Sequence, residues 1–245
     1  MKALNPTMAS HQVDAVILGG GVSGLAAARE LSRAGFRIVL LEARRRRGGR
    51  IHTIHDPATA VPVELGAEFI HGEPKETLSL LRPGGPAALQ LPDSHLESRD
   101  GKFHPVGDFW GSVEKVNEAL ARRFARRGAR DLSYAEYVLS LQLSSPLRRR
   151  LLQYAEGFQA AHADRISARS LAVEAGGNSS RQFRVREGYD SLVAELQSGL
   201  DPAKTDLRLG CRASDLSWSS RRVAVRGTDW NGRDVSIDGG AWRKS

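Results

Sequence analysis

Three closely spaced glycines near the start of the chain have the spacing of a phosphate-binding turn. The segment VILGGGVSGLAAARELSRAG (16–35) contains Gly19-x-Gly21-x-x-Gly24 where an apolar run gives way to a predicted helix. Gly19 permits a tight turn, Gly21 lets a pyrophosphate approach the backbone, and Gly24 allows close helix–strand packing. The first N–H groups of the helix attract phosphates. The predicted dinucleotide contacts are Gly19, Gly21, Val22, Ser23 and Gly24.

An acidic residue follows where a ribose would be recognised. Glu42 ends a second apolar run, about 20 residues beyond the glycines. Its carboxylate is placed to accept hydrogen bonds from both hydroxyls of an adenosine ribose. An acidic residue there favours an unphosphorylated ribose, and therefore FAD or NAD over NADP.

The elements that must position these residues form a β-α-β unit. Short and almost wholly apolar runs predict buried strands over 13–18 and 37–42. The residues between them predict a helix over 24–34, which ends at Gly35. This alternation is typical of a Rossmann-like α/β fold.

The middle of the chain is predicted to be rich in helices. Ser145 before Pro146 marks the start of one of them, and Asp100-Gly101 marks a tight hairpin turn. The predicted helices downstream of the first unit cover 111–127, 133–142, 146–163 and 189–200. The predicted strand segments are the hairpin at 97–106 and two short strands at 207–209 and 222–226.

The stretch LLEARRRRGGR (40–50) considered alone could be a basic patch for nucleic acid or part of a cofactor site. After the glycine turn and a buried strand, it resembles an element of the flavin-containing amine oxidase family. In that element the ribose-binding Glu is followed by Ala-Arg and then by Gly-Gly-Arg. The resemblance implies FAD as the cofactor. It places Glu42, Ala43 and Arg44 on the adenosine side and Gly48, Gly49 and Arg50 nearer the pyrophosphate and flavin. The remaining arginines, Arg45, Arg46 and Arg47, are expected to face solvent.

A second segment, VELGAEFIHG (63–72), resembles the one beneath the flavin ring in the polyamine-oxidase and histone-demethylase-like branches of this family. The resemblance implies that Gly66 and Ala67 are small enough for backbone to lie against the flat isoalloxazine. Glu68 and His71 are then either polar groups facing a substrate cavity or a loop pair without chemistry.

Three further segments extend the resemblance to residues 13–235. The stretches 156–172 and 182–200 resemble the substrate-domain helix and the return to the FAD domain. The stretch LRLGCRASDLSW (207–218) resembles the strand–turn–strand that reaches the adenine, where Ala213 replaces the usual valine and would act through its backbone.

The resulting fold class is α/β: a Rossmann-like FAD-binding domain with an α-rich substrate-domain insertion, incomplete at its C-terminus. We expect the first segment of the FAD-binding domain at 10–80 and a mostly helical, partial substrate domain at 81–182. The FAD-binding domain returns at 183–238, and an atypical tail follows at 239–245. Because family members are longer, we expect a truncated chain with uncovered sheet edges and apolar faces. Marginal stability, and weak or no FAD retention, would follow unless another chain supplies the rest.

Composition bears on the partners. The chain has 36 Lys and Arg against 28 Asp and Glu, a net charge of +8. The arginines are dispersed, and those at 122–130 share a predicted helix with the apolar stripe Val113, Val116 and Leu120, which is typical of a solvated face. Without interleaved aromatics, nucleic-acid binding is disfavoured. The single cysteine, Cys211, excludes an intrachain disulfide and fits a reducing compartment, so we expect a cytoplasmic protein.

Other sites are not indicated. His52 and His55 lack a Cys or carboxylate at ligand spacing, which argues against a metal site. No segment reaches about 18 uninterrupted apolar residues, the length needed to span a membrane.

The expected function is FAD-dependent oxidation of a small-molecule amine to an imine, with dioxygen reoxidising the flavin to give hydrogen peroxide. No catalytic residue is named, since the family's lie mostly in the half not found here. The alternatives are a related flavin desaturase or porphyrinogen-type oxidase, a non-catalytic dinucleotide-binding remnant, and a basic binding module.

Overall fold

The computed structural model describes residues 13–81, 87–92, 96–106, 109–126, 128–177, 181–220 and 222–240. The strands are β1 (Ala15–Leu18), β2 (Ile38–Glu42), β3 (Thr53–Ile54), β4 (Val63–Glu64), β5 (Ile70–His71), β6 (Ala88–Gln90), β7 (Leu96–Arg99), β8 (Lys102–Pro105), β9 (Gln182–Val185), β10 (Thr205–Leu209), β11 (Arg212–Ser219), β12 (Arg222–Thr228) and β13 (Asp234–Gly240). The helices are α1 (Val22–Arg33), α2 (Lys75–Leu78), α3 (Phe109–Phe124), α4 (Tyr134–Ser140), α5 (Ser145–Gln159), α6 (Ala168–Gly177) and α7 (Asp190–Ser198).

The chain forms two compact units. Unit 1 comprises the described residues of Met1–Ile70, Pro74–Gln90 and Gln182–Ser245, and unit 2 those of His71–Glu73 and Leu91–Arg181. Of the predicted tail 239–245, the first two residues end β13, and residues 241–245 lie outside the described residues.

Unit 1 is built on a parallel sheet with the strand order β1-β2-β10. Both outer strands align with the central strand at its first residue, Ile38. All five residues of β2 are buried because both faces of the strand are covered. Ile38 and Leu40 pack in one core cluster with α1 and α7, while Val39 and Leu41 pack in another with residues of β12 and β13. At about 1.5–3 kcal/mol for each fully buried aliphatic side chain, this strand is a main stabilising element of the unit.

The second covering layer is an antiparallel meander, β11-β12-β13. Its inward side chains include Val225 and Ile237, which are buried together with Cys211. Burial raises the pKa of the Cys211 thiol, and no disulfide joins it to another residue. These features fit a structural cysteine.

The helices of unit 2 pack around one apolar cluster. Val113, Val116 and Leu120 of α3 are buried in it, as the apolar stripe predicts. Helix α4 begins with a capping box, in which the Ser133 hydroxyl accepts from the Glu136 N–H and the Glu136 carboxylate accepts from the Ser133 N–H.

Two helix boundaries in unit 2 differ from the sequence prediction. Ser144, and not Ser145, caps α5, since its hydroxyl oxygen accepts a hydrogen bond from the Leu147 N–H. The helix ends at Gln159 because Ala160 adopts the left-handed conformation, with φ of 51°. The predicted helix over 146–163 is therefore too long, and α6 was not predicted. The last residue of the predicted helix 111–127 lies outside the described residues.

Candidate dinucleotide site

The first glycine turn has the geometry that its spacing predicts. Gly19 has φ of +105°, a conformation that side chains disfavour. A Cβ on Gly24 would overlap the carbonyl oxygen of Gly19 and touch Ile17, so only glycine lets α1 lie this close to the turn. Helix α1 begins after Gly21 and has no acidic side chain in its first turn. Its first N–H groups, including those of Val22 and Ser23, have no intrahelical acceptor and are suited to an anion.

The second glycine pair crosses the first turn. The Gly48 N–H donates to the carbonyl of Gly20 at 2.9 Å, and Gly21 and Gly48 form an isolated parallel bridge. A Cβ on Gly49 would lie 3.2 Å from the Cα of Gly21. Gly48 and Gly49 both have positive φ, 100° and 60°. Two backbone loops without side chains therefore meet beside the start of α1, leaving a cradle in which backbone can approach a diphosphate.

Arg46 ties the second loop together. Its guanidinium donates to the carbonyl oxygens of Ile51 at 2.9 Å, Gly49 at 3.0 Å and Arg47 at 3.2 Å. The expectation that residues 45–47 are solvent-facing filler is therefore wrong for Arg46, whose side chain is partly buried. Arg45 is exposed, as expected, although its guanidinium lies 4.8 Å from the centre of the Trp230 ring. A run of identical residues hides this division of roles from sequence inspection.

Glu42 joins the end of β2 to both loops. Its carboxylate accepts from the Gly20 N–H at 2.7 Å and from the Arg44 N–H at 2.8 Å, one oxygen for each donor. The side chain is only 5% exposed. Each carboxylate oxygen has a further lone pair for a ribose hydroxyl. Ala43 and Arg44, which were predicted beside it, are exposed, and so is Arg50, which was predicted nearer the pyrophosphate and flavin.

The segment 65–68 runs along the second glycine loop. The Leu65 N–H donates to His52 at 2.7 Å and the Ala67 N–H donates to Arg50 at 3.0 Å. A Cβ on Gly66 would overlap the carbonyl oxygen of Arg50. Gly66 is therefore required because two chain segments pack closely here. The sequence alone did not indicate this packing.

The polar residues of this segment have partners. Glu68 forms an ion pair with Arg184 of β9 at 2.9 Å. In unit 2, the His71 ring contacts the edge of Phe158, with ring centres 5.5 Å apart. Both side chains are thus engaged within the fold.

The adenosine side is closed by the segment that follows β10. The Cys211 N–H donates to the Glu42 carbonyl and the Gly210 N–H to the Arg44 carbonyl, both at 2.9 Å. Ala213 follows in β11, half-buried and opposite Gly227. These pairings bring the predicted adenine segment next to the predicted ribose acid.

Apolar side chains remain exposed beside the glycine loops. They are Leu18, Val22, Leu65 and Phe69, with exposures of 37% to 57%. Within the part of the chain that the structure describes, β1 pairs with β2, and Val13, which precedes β1, forms an isolated bridge with Gly239. An apolar rim around a polar cradle is common in cofactor sites.

The residues at this site fit a dinucleotide with an unphosphorylated ribose. The donors are backbone N–H groups at a helix start, the crossing loops leave no side chain in the way, and the acid lies at the strand end. Within the described ranges, no group of three or more His, Cys, Asp or Glu is placed to hold a metal ion. His55 instead contacts Asp190, with Nε2 3.0 Å from a carboxylate oxygen. No described helix is long and apolar enough to cross a membrane.

Known proteins resemble this chain in sequence over most of its length. Residues 22–239 match the sequence model of the family described as flavin containing amine oxidoreductase. The chain is 33% identical over 245 residues to polyamine oxidase 3 of Oryza sativa subsp. japonica, covering 88% of this chain and 48% of that protein. It is 44% identical over 134 residues to lysine-specific histone demethylase 1 homolog 2 of the same plant, covering 52% of this chain and 18% of that protein.

Solved structures show the same fold. A putrescine oxidase with bound putrescine superimposes with a TM-score of 0.71 at 20% identity, covering 95% of this chain and 57% of that one. Cyclohexylamine oxidase from Brevibacterium oxydans IH-35A gives 0.70 at 19% identity, over 92% and 56%. The predicted α/β, Rossmann-like fold is confirmed. The chain spans about half the length of the curated relatives that it matches.

Proposed function

Because this chain belongs to the family of flavin-containing amine oxidoreductases, we propose that it binds FAD and provides the nucleotide-binding part of an enzyme that oxidises amines. One observation carries the proposal: two glycine loops cross beside the start of α1, and the buried carboxylate of Glu42 links them to the strand end. This arrangement suits a single ligand that carries both a diphosphate and a ribose.

Each part of the site has a role in holding FAD. The N–H groups at the start of α1 face the diphosphate, together with the backbone of Gly48 and Gly49. Glu42 accepts hydrogen bonds from the adenosine ribose, and the backbone of Ala213 contacts the adenine. When bound, FAD would accept the electrons that an amine loses on oxidation to an imine, and dioxygen would then take them up and become hydrogen peroxide.

The protein groups orient the cofactor and limit water around it. The packing of Gly66 on the Arg50 carbonyl fixes the backbone of Gly66 and Ala67, which would lie at the isoalloxazine end. The exposed apolar side chains of Leu65 and Phe69 would exclude water beside the bound cofactor. Glu68 is held by Arg184, so its charge is partly compensated within the fold.

The substrate class follows from the relatives. Polyamine oxidases and a putrescine oxidase are among them, so we propose a polyamine or diamine as the substrate. Nucleic acid is not a proposed partner, because Arg46 of the basic run donates to backbone carbonyls of its own loop and no aromatic residues are interleaved with the arginines. The single cysteine supports a reducing, cytoplasmic setting.

A Gly21→Ala variant tests FAD binding separately from folding. Gly21 has an ordinary φ of −77°, and a Cβ there would lie 3.8 Å from its nearest neighbour, the Cα of Gly49. The methyl group meets no steric overlap, and because Ala is a poorer N-cap residue than Gly it should cost up to about 1 kcal/mol of folding stability, while blocking the approach of the diphosphate. We expect FAD titrated by calorimetry to bind the native chain and to bind this variant at least about tenfold more weakly.

Equal affinity of the two chains, with thermal midpoints unchanged, would contradict the proposed site. Release of peroxide on adding putrescine or spermidine to the FAD-loaded chain then tests the reaction. FAD binding without peroxide release would support a nucleotide-binding protein without oxidase activity.

A further inference from the structure

The turn between β12 and β13 presents an aromatic side chain next to the adenosine end of the site. Asp229 closes this turn, since its side chain accepts from the N–H groups of Asn231 at 2.8 Å and Arg233 at 2.9 Å. Its own N–H donates to the Arg233 carbonyl at 2.8 Å. The turn is thus well defined, yet Trp230 within it is 63% exposed. A large flat ring held on a rigid turn is suited to a planar ligand.

Two contacts fix the position of this ring. A Cβ on Gly210 would lie 3.1 Å from the Cβ of Trp230, so the indole packs directly on the Gly210 backbone. Gly210 in turn donates its N–H to the Arg44 carbonyl. The Arg45 guanidinium lies over the indole, 4.8 Å from its centre. Trp230 is therefore bound to the segment that begins at Glu42 and also to the segment that leads to Ala213.

We propose that Trp230 is a binding residue for the adenine base and that Arg45 is a positioning residue that holds the indole in place. The proposal rests on the proposed FAD site and adds a side-chain contact to a region otherwise formed by backbone and by Glu42. Indole rings stack on nucleobases, and a cation over the ring restrains its orientation.

The meander carries a matched control. Trp218 of β11 is 77% exposed, and it lies opposite Val223, near the far end of the β11–β12 pair from the Trp230 turn. Trp218→Ala removes a similar ring from the same sheet without touching Gly210 or Arg45. Any general effect of losing an exposed indole should appear in both variants.

ADP is the probe, because it carries the adenosine and diphosphate without the flavin. We expect ADP to quench tryptophan fluorescence of the native chain and of Trp218→Ala, but not of Trp230→Phe. Inorganic pyrophosphate should not quench, because it has no base to stack. By calorimetry, Trp230→Ala should bind ADP and FAD about fivefold to tenfold more weakly, the lower part of the range for base stacking given the exposure of the ring. Trp230→Phe should recover most of the affinity.

Arg45→Ala tests the positioning role. We expect a loss of affinity smaller than that of Trp230→Ala, and no further loss when both substitutions are combined, because Arg45 acts through the ring. Additive losses would contradict this coupling.

The outcomes separate the two proposals. If the native chain binds ADP and FAD, and Trp230→Ala binds them equally well, the stacking contact is wrong while the FAD site stands. The same holds if Trp230→Ala weakens binding only in proportion to a lowered thermal midpoint and Trp230→Phe does not restore it. If the native chain binds neither probe, both proposals are overturned.

Discussion

Substitution of Arg46 should destabilise unit 1 more than substitution of any neighbouring arginine in the basic run. The Arg46 side chain donates to three backbone carbonyls, at 2.9, 3.0 and 3.2 Å, and thereby closes the loop that contains Gly48 and Gly49. Hydrogen bonds from a charged donor contribute about 1.5–3 kcal/mol each when buried, and much less when water competes. Because Arg46 is partly buried, we expect Arg46→Ala to cost about 2 kcal/mol in total.

Urea denaturation of the chain measures this cost. With a slope of about 3 kcal/mol per molar, suitable for a chain of this size, the midpoint should fall by about 0.7 M. Arg46→Lys should recover less than half, because one ammonium group cannot reproduce the planar fork that reaches the Gly49 and Ile51 carbonyls. Loss of the loop geometry should also weaken FAD binding.

Arg47→Ala is the control, since it removes an adjacent charge of the same sign while leaving the contacted carbonyl in place. Arg47→Ala should change the free energy of unfolding by no more than about 0.5 kcal/mol. At the same slope, this corresponds to a midpoint shift of no more than about 0.2 M. If Arg46→Ala and Arg47→Ala unfold at the same urea concentration, the three Arg46 hydrogen bonds do not contribute to folding stability and the reasoning is refuted.

Three further predictions follow from single contacts. Gly66→Ala should lower the thermal midpoint, because its Cβ would overlap a backbone carbonyl, whereas Gly157→Ala in α5 has open space and should raise stability by up to about 1 kcal/mol; equal midpoints would contradict the packing. The Cys211 thiol, buried and with a raised pKa, should react with Ellman's reagent far more slowly in the native chain than in urea; rapid native reaction would show it to be accessible. The backbone N–H of Arg37 lowers the pKa of Asp14, so Asp14→Asn should destabilise by a few tenths of a kcal/mol at pH 7, and by progressively less as the pH falls below 3.8 towards the lowered pKa; a deficit independent of pH would contradict the ionic contribution.

The β-α-β unit could be predicted from sequence because its signals are local. The apolar run of β2 is long enough to require burial on both faces, and the structure buries all five of its residues. The positions of Gly19 and Gly24 relative to that unit restrict the turn to one geometry. The hydrophobic pattern, the glycine spacing and the strand length therefore all predict the same β-α-β unit.

The features that sequence inspection missed depend on contacts between distant segments. Gly66 is needed because the chain returns past Arg50, and Trp230 packs on Gly210, which in turn pairs with Arg44. Neither pairing leaves a periodic or compositional trace. The early end of α5 at Ala160 is a local feature, but alanine normally favours helix, so propensity pointed the wrong way.

The Arg46 side chain supplies hydrogen-bond donors to backbone carbonyls of the adjacent glycine loop. Positive φ at Gly48 and Gly49 turns the backbone so that the carbonyls of residues 47, 49 and 51 all lie within reach of one side chain. Glycine has no side chain that could satisfy these acceptors, and a buried carbonyl left without a donor is costly. Arginine spreads its N–H donors over two terminal nitrogens in a planar fork, and Arg46 uses both nitrogens to reach the three acceptors. Hydrogen bonding within the loop therefore accounts for part of the basic run beside the glycine pair. Attraction of a polyanion is not required to explain Arg46.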